Sequence, residues 1–283
     1  MKKNIDYLKE KKRKNIPVTM LTAYDYPTAV FEEEAGVDCI LVGDSVGTNV
    51  LGYSSERDVT LSDMVHHLRA VSRGVKDSFL IADLPFGTAD TLDQALGNSR
   101  HLLDNGADCV KLEGWAEKKA IVKGLVNAGV NVCAHIGYNP QIHEGKPRTF
   151  GRTPDQALML LRSSIELEQA GASLIVLEKI PAEVARIIST TISIPTIGIG
   201  SGADCDGQVL VIGDLLGMTQ RVFKHAKPYA SVRNDTITGI KNYITETKQR
   251  QFPGNENCTH LTATELEEVR KLLKEHIPEV PFE

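Results

Sequence analysis

Cys39-Ile-Leu-Val-Gly-Asp-Ser-Val-Gly47 decides the fold. Its apolar run, Cys39 to Val42, suits a strand covered on both faces, as in a parallel sheet, better than a half-wet hairpin strand. Gly43 lets the backbone turn, and Asp44 and Ser45 leave the strand at its C-terminal end. A turn aspartate followed by a serine is the bland reading of one such stretch. The same arrangement recurs along the chain, and the recurrence points to a site.

Towards the N-terminus, Val18 to Ala23 reads as a first strand, closed by Tyr24-Asp25-Tyr26-Pro27 and followed by a helix that ends at Gly36. Towards the C-terminus, Leu61 to Arg73 carries Met64, Val65, Leu68 and Val71 at helical spacing. Phe79 to Pro85 is a strand with Asp83 near its end, and Thr91 to Asn105 is a helix. In the strand from Cys109 to Gly114, Lys111 and Glu113 are two apart and so point the same way. Ala116 to Asn127 is helical, and Asn131 to His135 is a strand ending in a histidine.

Tyr138 to Arg152 is the longest irregular segment, rich in Gly, Pro and charge, and is expected to be a mobile loop over the site. A helix from Thr153 to Ala170 leads to the strand Leu174 to Glu178, and Pro181 opens the next helix, to about Thr190. Pro195 to Gly200 and Val209 to Ile212 complete eight strands, with Asp214 after the last. Strand, polar tip, helix and breaker repeated in this way predict an α/β fold, a closed (β/α)8 TIM barrel in a single catalytic domain. A doubly wound open sheet is the alternative, but it seldom needs reactive side chains at so many strand ends.

The barrel is assigned to residues 1–260 and a C-terminal helical extension to 261–283. In that extension Thr262 and Glu265 have the spacing of a capping box, and Leu266, Val269, Leu272, Leu273 and Ile277 line one side of a helix. Such a stripe must be covered by this subunit or another, and a subunit contact is the favoured reading.

Composition agrees. A chain of 283 residues has room for such a barrel, and 41% hydrophobic residues supply a sizeable core. A net charge of −5 with mixed signs gives no reason to expect nucleic acid or a membrane surface as partner. No stretch approaches the ~20 apolar residues of a membrane helix. The basic start, Lys2, Lys3, Lys9 and the run from Lys11 to Lys14, is broken by Asp6 and Glu10 and reads as a solvated helix, not a targeting signal. Five cysteines without a CxxC pair read as reduced thiols of a cytoplasmic protein.

The strand tips carry Asp44 with Ser45, Asp83, Lys111 with Glu113, His135, Glu178 and Asp214. Singly, each acid could be the cap of the next helix. A barrel gathers all of them on one face. Three carboxylates there repel unless a counter-charge is present, and a divalent cation supplies it. All-oxygen ligation favours Mg2+, which takes one or two protein carboxylates plus waters and substrate oxygens. A chelated 2-oxo acid would become more acidic at C3 through stabilisation of its enolate oxygen. Glu178 is then the candidate base, and Lys111 and His135 are placed to bind the substrate carboxylate or steady developing charge. Lys111 as a surface lysine is disfavoured by its apolar neighbours, Val110 and Leu112. For His135 a core histidine bonded to backbone stays open.

Thr22-Ala-Tyr-Asp-Tyr26, Leu41-Val-Gly-Asp-Ser45, Ala82-Asp-Leu-Pro-Phe86, Val110-Lys-Leu-Glu113, His135-Ile-Gly, Val176-Leu-Glu178, Gly198-Ile-Gly-Ser-Gly202 and Asp206-Gly-Gln-Val-Leu-Val211 occur in that order. The set resembles the ketopantoate (3-methyl-2-oxobutanoate) hydroxymethyltransferases of the phosphoenolpyruvate/pyruvate superfamily, over about residues 4 to 260. The resemblance implies a (β/α)8 barrel that moves a one-carbon unit from 5,10-methylenetetrahydrofolate to 3-methyl-2-oxobutanoate through a metal-stabilised enolate. The product would be 2-dehydropantoate, for pantothenate and coenzyme A synthesis. It implies Mg2+ on Asp44 and Asp83 with Glu113 close by, substrate contacts from Ser45, Asp83, Lys111 and His135, and Glu178 as base. It also implies a homo-oligomer, typically a decamer.

The resemblance has departures. The segment His135-Ile-Gly-Tyr-Asn-Pro-Gln141 replaces His-Leu-Gly-Leu-Thr-Pro-Gln, and the loop from Glu144 to Arg152 is shorter than the family's, keeping only its closing Gly-Arg. Gly213-Asp214 replaces a usual His-Asp. Other readings therefore stay open: the same enolate chemistry on another 2-oxo acid, as a C–C lyase or aldol-type transferase, or a non-catalytic binding barrel. A phosphate or nucleotide barrel would use Gly198 to Gly202 as its anion loop, against a tight turn that needs glycines for its own sake.

Overall fold

The structure, a computed structural model, describes residues 1–142, 148–219, 223–277 and 279. Contacts between Cα atoms divide the chain into two compact units, Met1–Ala230 and Ser231–Glu283. The first is the barrel. Its strands are β1 (Val18–Thr22), β2 (Cys39–Val42), β3 (Phe79–Asp83), β4 (Cys109–Glu113), β5 (Val132–Gly137), β6 (Leu174–Glu178), β7 (Thr196–Ile199) and β8 (Gly207–Leu210). They pair in parallel in chain order, and β8 pairs back onto β1 to close the ring. The doubly wound alternative is thereby excluded.

Helices of this unit are α1 (Ile5–Arg13), α2 (Tyr26–Ala35), α3 (Leu61–Gly74), α4 (Leu92–Asp104), α5 (Lys119–Asn127), α6 (Pro154–Gln169), α7 (Ala182–Thr191) and the short α8 (Ile212–Leu215). Thr60 and Thr91 close capping boxes with Asp63 and Gln94, so α3 and α4 start where their sequences offer a hydroxyl to orphan N–H groups. The second unit holds α9 (Val232–Lys248) and α10 (Ala263–His276). The boundary expected at 260/261 would place α9 with the barrel, whereas the contacts group it with α10. The capping box is present, with Thr262 N–H donating to Glu265 Oε2 at 2.7 Å and Glu265 N–H donating to Thr262 Oγ1 at 3.3 Å.

Strand alternation sorts the barrel into two cores. Ile40, Val42, Leu80, Ala82, Val110 and Leu112 point outward and pack with α3, α4 and α5 residues such as Leu68, Leu102 and Leu125. Their neighbours Cys39, Leu41, Phe79, Ile81, Cys109 and Cys133 point inward and fill the barrel with Leu174, Val176 and Ile197. Continuing the period of two, Asp83, Lys111, Glu113, His135 and Glu178 follow inward positions near the C-terminal ends. Cys39, Cys109, Cys133 and Cys205 are buried free thiols, and Cys258 is exposed.

The N-terminal helix differs from expectation. Leu8 of α1 is fully buried among the barrel's interior residues. Around it, Lys3 Nζ donates to Val37 O at 2.6 Å, Lys11 Nζ to Asp38 Oδ2 at 2.5 Å and Lys12 Nζ to Asp206 Oδ2 at 2.7 Å. Several of the basic residues read as a solvated face thus reach acids and carbonyls that flank the strands. Leu8→Ala is expected to cost about 2–5 kcal/mol by denaturant unfolding, since it opens a void in this closure.

Glu32 of α2 is the buried carboxylate with no visible reward. It is 2% exposed, and neither side-chain oxygen has a hydrogen-bond partner among the described residues. Burial, reinforced by Asp25, pushes its pKa up to about 8. As pH rises from 4.5 to about 8, only the unfolded chain ionises at this position, so the folded state loses stability over that window. Glu32→Gln is expected to match the parent in acid and to exceed its stability by on the order of a few kcal/mol near pH 8, measured by chemical denaturation.

No helix among the described residues is long and apolar enough to cross a membrane.

Candidate active site

A cavity of about 510 Å³ opens at the C-terminal ends of the strands. Asp44, Ser45, Asp83, Lys111, Glu113, His135, Glu178 and Asp214 all line it, so every strand tip singled out in the sequence reaches one site. Leu41, Val176, Ile199, Val209 and Val211 give it an apolar wall. Residues 143–147 of the loop expected to cover it lie outside the described residues.

The polar side is a tight network. Lys111 Nζ sits 2.9 Å from Asp83 Oδ1 and 3.3 Å from Glu113 Oε1. His135 Nδ1 is 3.0 Å from the same Glu113 oxygen, and its Nε2 is 3.3 Å from Glu178 Oε2 without the alignment of a hydrogen bond. Glu178 Oε1 is also 3.4 Å from Lys179 Nζ. His135 therefore bridges two carboxylates, and neither ring nitrogen is spent on backbone. Ser45 Oγ lies 2.8 Å from the Tyr24 hydroxyl.

Burial drives the electrostatics. It pushes the Asp44 carboxyl well above its ordinary range, helped by the neighbouring charges of Asp83 and Glu113. Asp83 is raised by burial too, although Lys111 opposes the rise. Burial works against the Lys111 ammonium, but the carboxylates of Asp83, Glu113 and Asp44 prevail and raise its pKa. Glu113 is lowered, because Lys111 and His135 outweigh its burial. His135 is lifted to about 9, because Glu113 and Glu178 outweigh the burial penalty on an imidazolium. Burial likewise raises Asp214, against a 3.4 Å contact from Thr219 Oγ1.

Among the described residues Asp44 has no cation at ion-pair distance, whereas Asp83 is paired with Lys111. Asp83 Oδ1 is buried, and among the described residues it meets Lys111 Nζ at 2.9 Å without the alignment of a hydrogen bond. Among the described residues, no three His, Cys, Asp or Glu side chains form a complete metal cage.

Tyr24, Gln141 and Lys179 join the site without having been marked as site residues in the sequence. Gln141 Nε2 donates to Asp44 Oδ2 at 2.6 Å, and Lys179 holds a left-handed φ of 50° with its ammonium 4.4 Å from the Tyr138 ring centre. Tyr24 read as part of a turn closing a strand. Gln141 carries no charge that would draw notice.

The glycines of Gly198 to Gly202 serve a tight turn. Gly200 and Gly202 have φ of 64° and 86°, and a Cβ at Gly202 would lie 2.5 Å from that of Ala182. Ser201 Oγ donates to Leu177 O at 2.7 Å and accepts from Ile180 N–H at 3.1 Å.

The ketopantoate hydroxymethyltransferase family model matches residues 2–255. The chain belongs to that family. A 3-methyl-2-oxobutanoate hydroxymethyltransferase of Dehalococcoides mccartyi is 45% identical over 276 residues, covering 96% of this chain and 98% of its own length. The enzyme of the same name from Acetivibrio thermocellus is 44% identical, over 93% of this chain and 95% of its own. Membership in the ketopantoate hydroxymethyltransferase family makes the chain a transferase of hydroxymethyl groups. In fold it resembles a phosphonopyruvate hydrolase solved with oxalate and Mg++, at a TM-score of 0.61 and 11% identity, over 99% of this chain and 100% of the other.

Proposed function

We propose that the cavity binds 3-methyl-2-oxobutanoate with Mg2+ and that the chain transfers to its C3 the one-carbon unit of 5,10-methylenetetrahydrofolate, water supplying the hydroxyl and tetrahydrofolate leaving, to give 2-dehydropantoate for pantothenate synthesis. The observation that carries this reading is the shared cavity. It gathers Glu178, Asp44 and Asp83 around one space, with Lys111 paired to Asp83 and His135 beside Glu178.

The donor set fits a hard divalent cation: Asp44 is a desolvated carboxylate, and the buried Asp83 carboxylate beside it has Lys111 Nζ as its cation at 2.9 Å. These two would hold the ion. Glu113, whose oxygens already meet Lys111, His135 and the Gln141 N–H, would act on it through water or charge. When bound, Mg2+ would supply positive charge at the keto oxygen and so acidify C3.

The remaining steps belong to the side chains. Lys111, Ser45 and the charged His135 bind and orient the oxo acid. The apolar wall takes its branched end. Glu178 removes the C3 proton, and His135 and Lys179 at 3.3 and 3.4 Å keep that carboxylate aimed into the cavity. At about 510 Å³ the cavity falls within the ~300–1,000 Å³ of small-molecule sites, and so leaves room for a second reactant.

Turnover with 5,10-methylenetetrahydrofolate and a panel of branched 2-oxo acids tests this assignment. The highest kcat/KM is expected for 3-methyl-2-oxobutanoate. A clear preference for another oxo acid would reassign the substrate while leaving the deprotonation chemistry in place.

A further inference from the structure

Gln141 is 7% exposed, yet it is tied to both ends of the acidic cluster. Its side-chain Nε2 donates to Asp44 Oδ2 at 2.6 Å and to Leu84 O at 3.1 Å, while its backbone N–H donates to Glu113 Oε2 at 3.2 Å. The Leu84 carbonyl can only accept, so it settles which end of the amide faces this way. The preceding residues hold it in place. Tyr138 N–H donates to Glu178 O at 2.8 Å, and Asn139 Nδ2 donates to His135 O at 3.0 Å while its Oδ1 accepts from Trp115 Nε1 at 3.0 Å.

The choice of a neutral donor matters here. A lysine or arginine at this position would cancel the charge of Asp44, and an acid would deepen the repulsion already present there. An amide satisfies one oxygen and leaves the net charge of the cluster unchanged. Asp44 Oδ2 is thereby occupied, and Asp83 Oδ2 is likewise occupied by the Asp44 N–H at 3.0 Å. Asp44 is left with its Oδ1, whereas Asp83 Oδ1 sits 2.9 Å from Lys111 Nζ.

We propose that Gln141 is a positioning residue that holds Asp44 and Glu113 in register and restricts Asp44 to offering a cation a single oxygen. This rests on the Mg2+ reading of the site given above. Groups that hydrogen-bond metal-binding carboxylates set their orientation, and removing one typically costs about 10–100-fold in metal affinity.

The test is calorimetric titration of Mg2+ into the full chain saturated with 3-methyl-2-oxobutanoate, for the parent, Gln141→Met and Gln141→Asn. Methionine keeps the length without donors, and asparagine keeps the amide but falls one methylene short of Asp44, so a variant that fails to fold by circular dichroism leaves the other to decide. About 10–100-fold weaker Mg2+ binding is expected. The Mg2+ concentration for half-maximal turnover should rise to match, while kcat recovers at high Mg2+; a purely structural defect would not be rescued by metal. Parent-like affinity in a folded variant would overturn the role of Gln141 and leave the metal reading standing. A parent that binds no Mg2+ with the oxo acid present would overturn both.

Discussion

Glu178→Gln should still bind 3-methyl-2-oxobutanoate, within a few-fold of the parent, yet exchange its C3 proton with solvent about a thousand-fold more slowly, given the ~10²–10⁴-fold typical of a positioned general base. The substitution keeps the shape of a side chain whose two oxygens face His135 and Lys179 at 3.3 and 3.4 Å. It removes the capacity to accept a proton together with the negative charge facing His135 and Lys179. Because Lys111 and Ser45 are untouched, the oxo acid keeps its anchors. Binding by calorimetry and exchange by proton NMR in deuterated water separate the two effects. Exchange at the parent rate would show that another group is the base.

Asp83→Ala has the second large expected effect, loss of Mg2+-dependent binding of the oxo acid. Three features of Asp83 converge on this outcome. Oδ1 is buried 2.9 Å from Lys111 Nζ, Oδ2 fixes the Asp44 backbone N–H at 3.0 Å, and the carboxylate is one of two acids beside that ammonium. Alanine removes the oxygen proposed to meet the ion and loosens its neighbour at once. The expected loss of Mg2+ affinity exceeds the ~10–100-fold typical of residues that only support metal ligands. Glu113 remains 3.3 Å from Lys111, so the buried ammonium is not abandoned and the fold should survive. Unchanged Mg2+ affinity by calorimetry would refute the role.

Much of this architecture was readable before any coordinates. Strand β2 begins and ends where its apolar run does, and β6 runs one residue past its own to Glu178, because both faces of a barrel strand are buried up to its tip. Strand β8 does not: the apolar residues suggest Val209 to Ile212, but the strand is Gly207–Leu210. Gly207 is a poor strand former held there by its pairing with Val18, whose carbonyl would lie 2.4 Å from any added Cβ. Only the closed ring supplies that partner. Helix α9 escaped notice because it buries no residue of its own and so carries no clear apolar stripe.

The same division runs through the site. Charged residues at strand ends were legible because alternation fixes which way they point. Gln141 was not, since its bond to Asp44 joins residues 97 apart in sequence and neither local pattern nor residue type announces it. The basic N-terminus was misread for a related reason: Lys12 finds Asp206 only after the ring closes.

Proton NMR of 3-methyl-2-oxobutanoate incubated with the parent enzyme and Mg2+ in deuterated water, with no folate added, tests most directly whether the site deprotonates a 2-oxo acid. The C3 proton signal is expected to disappear at an enzyme-dependent rate. Its persistence in the presence of bound substrate would contradict the assignment of Glu178 as the base that removes it.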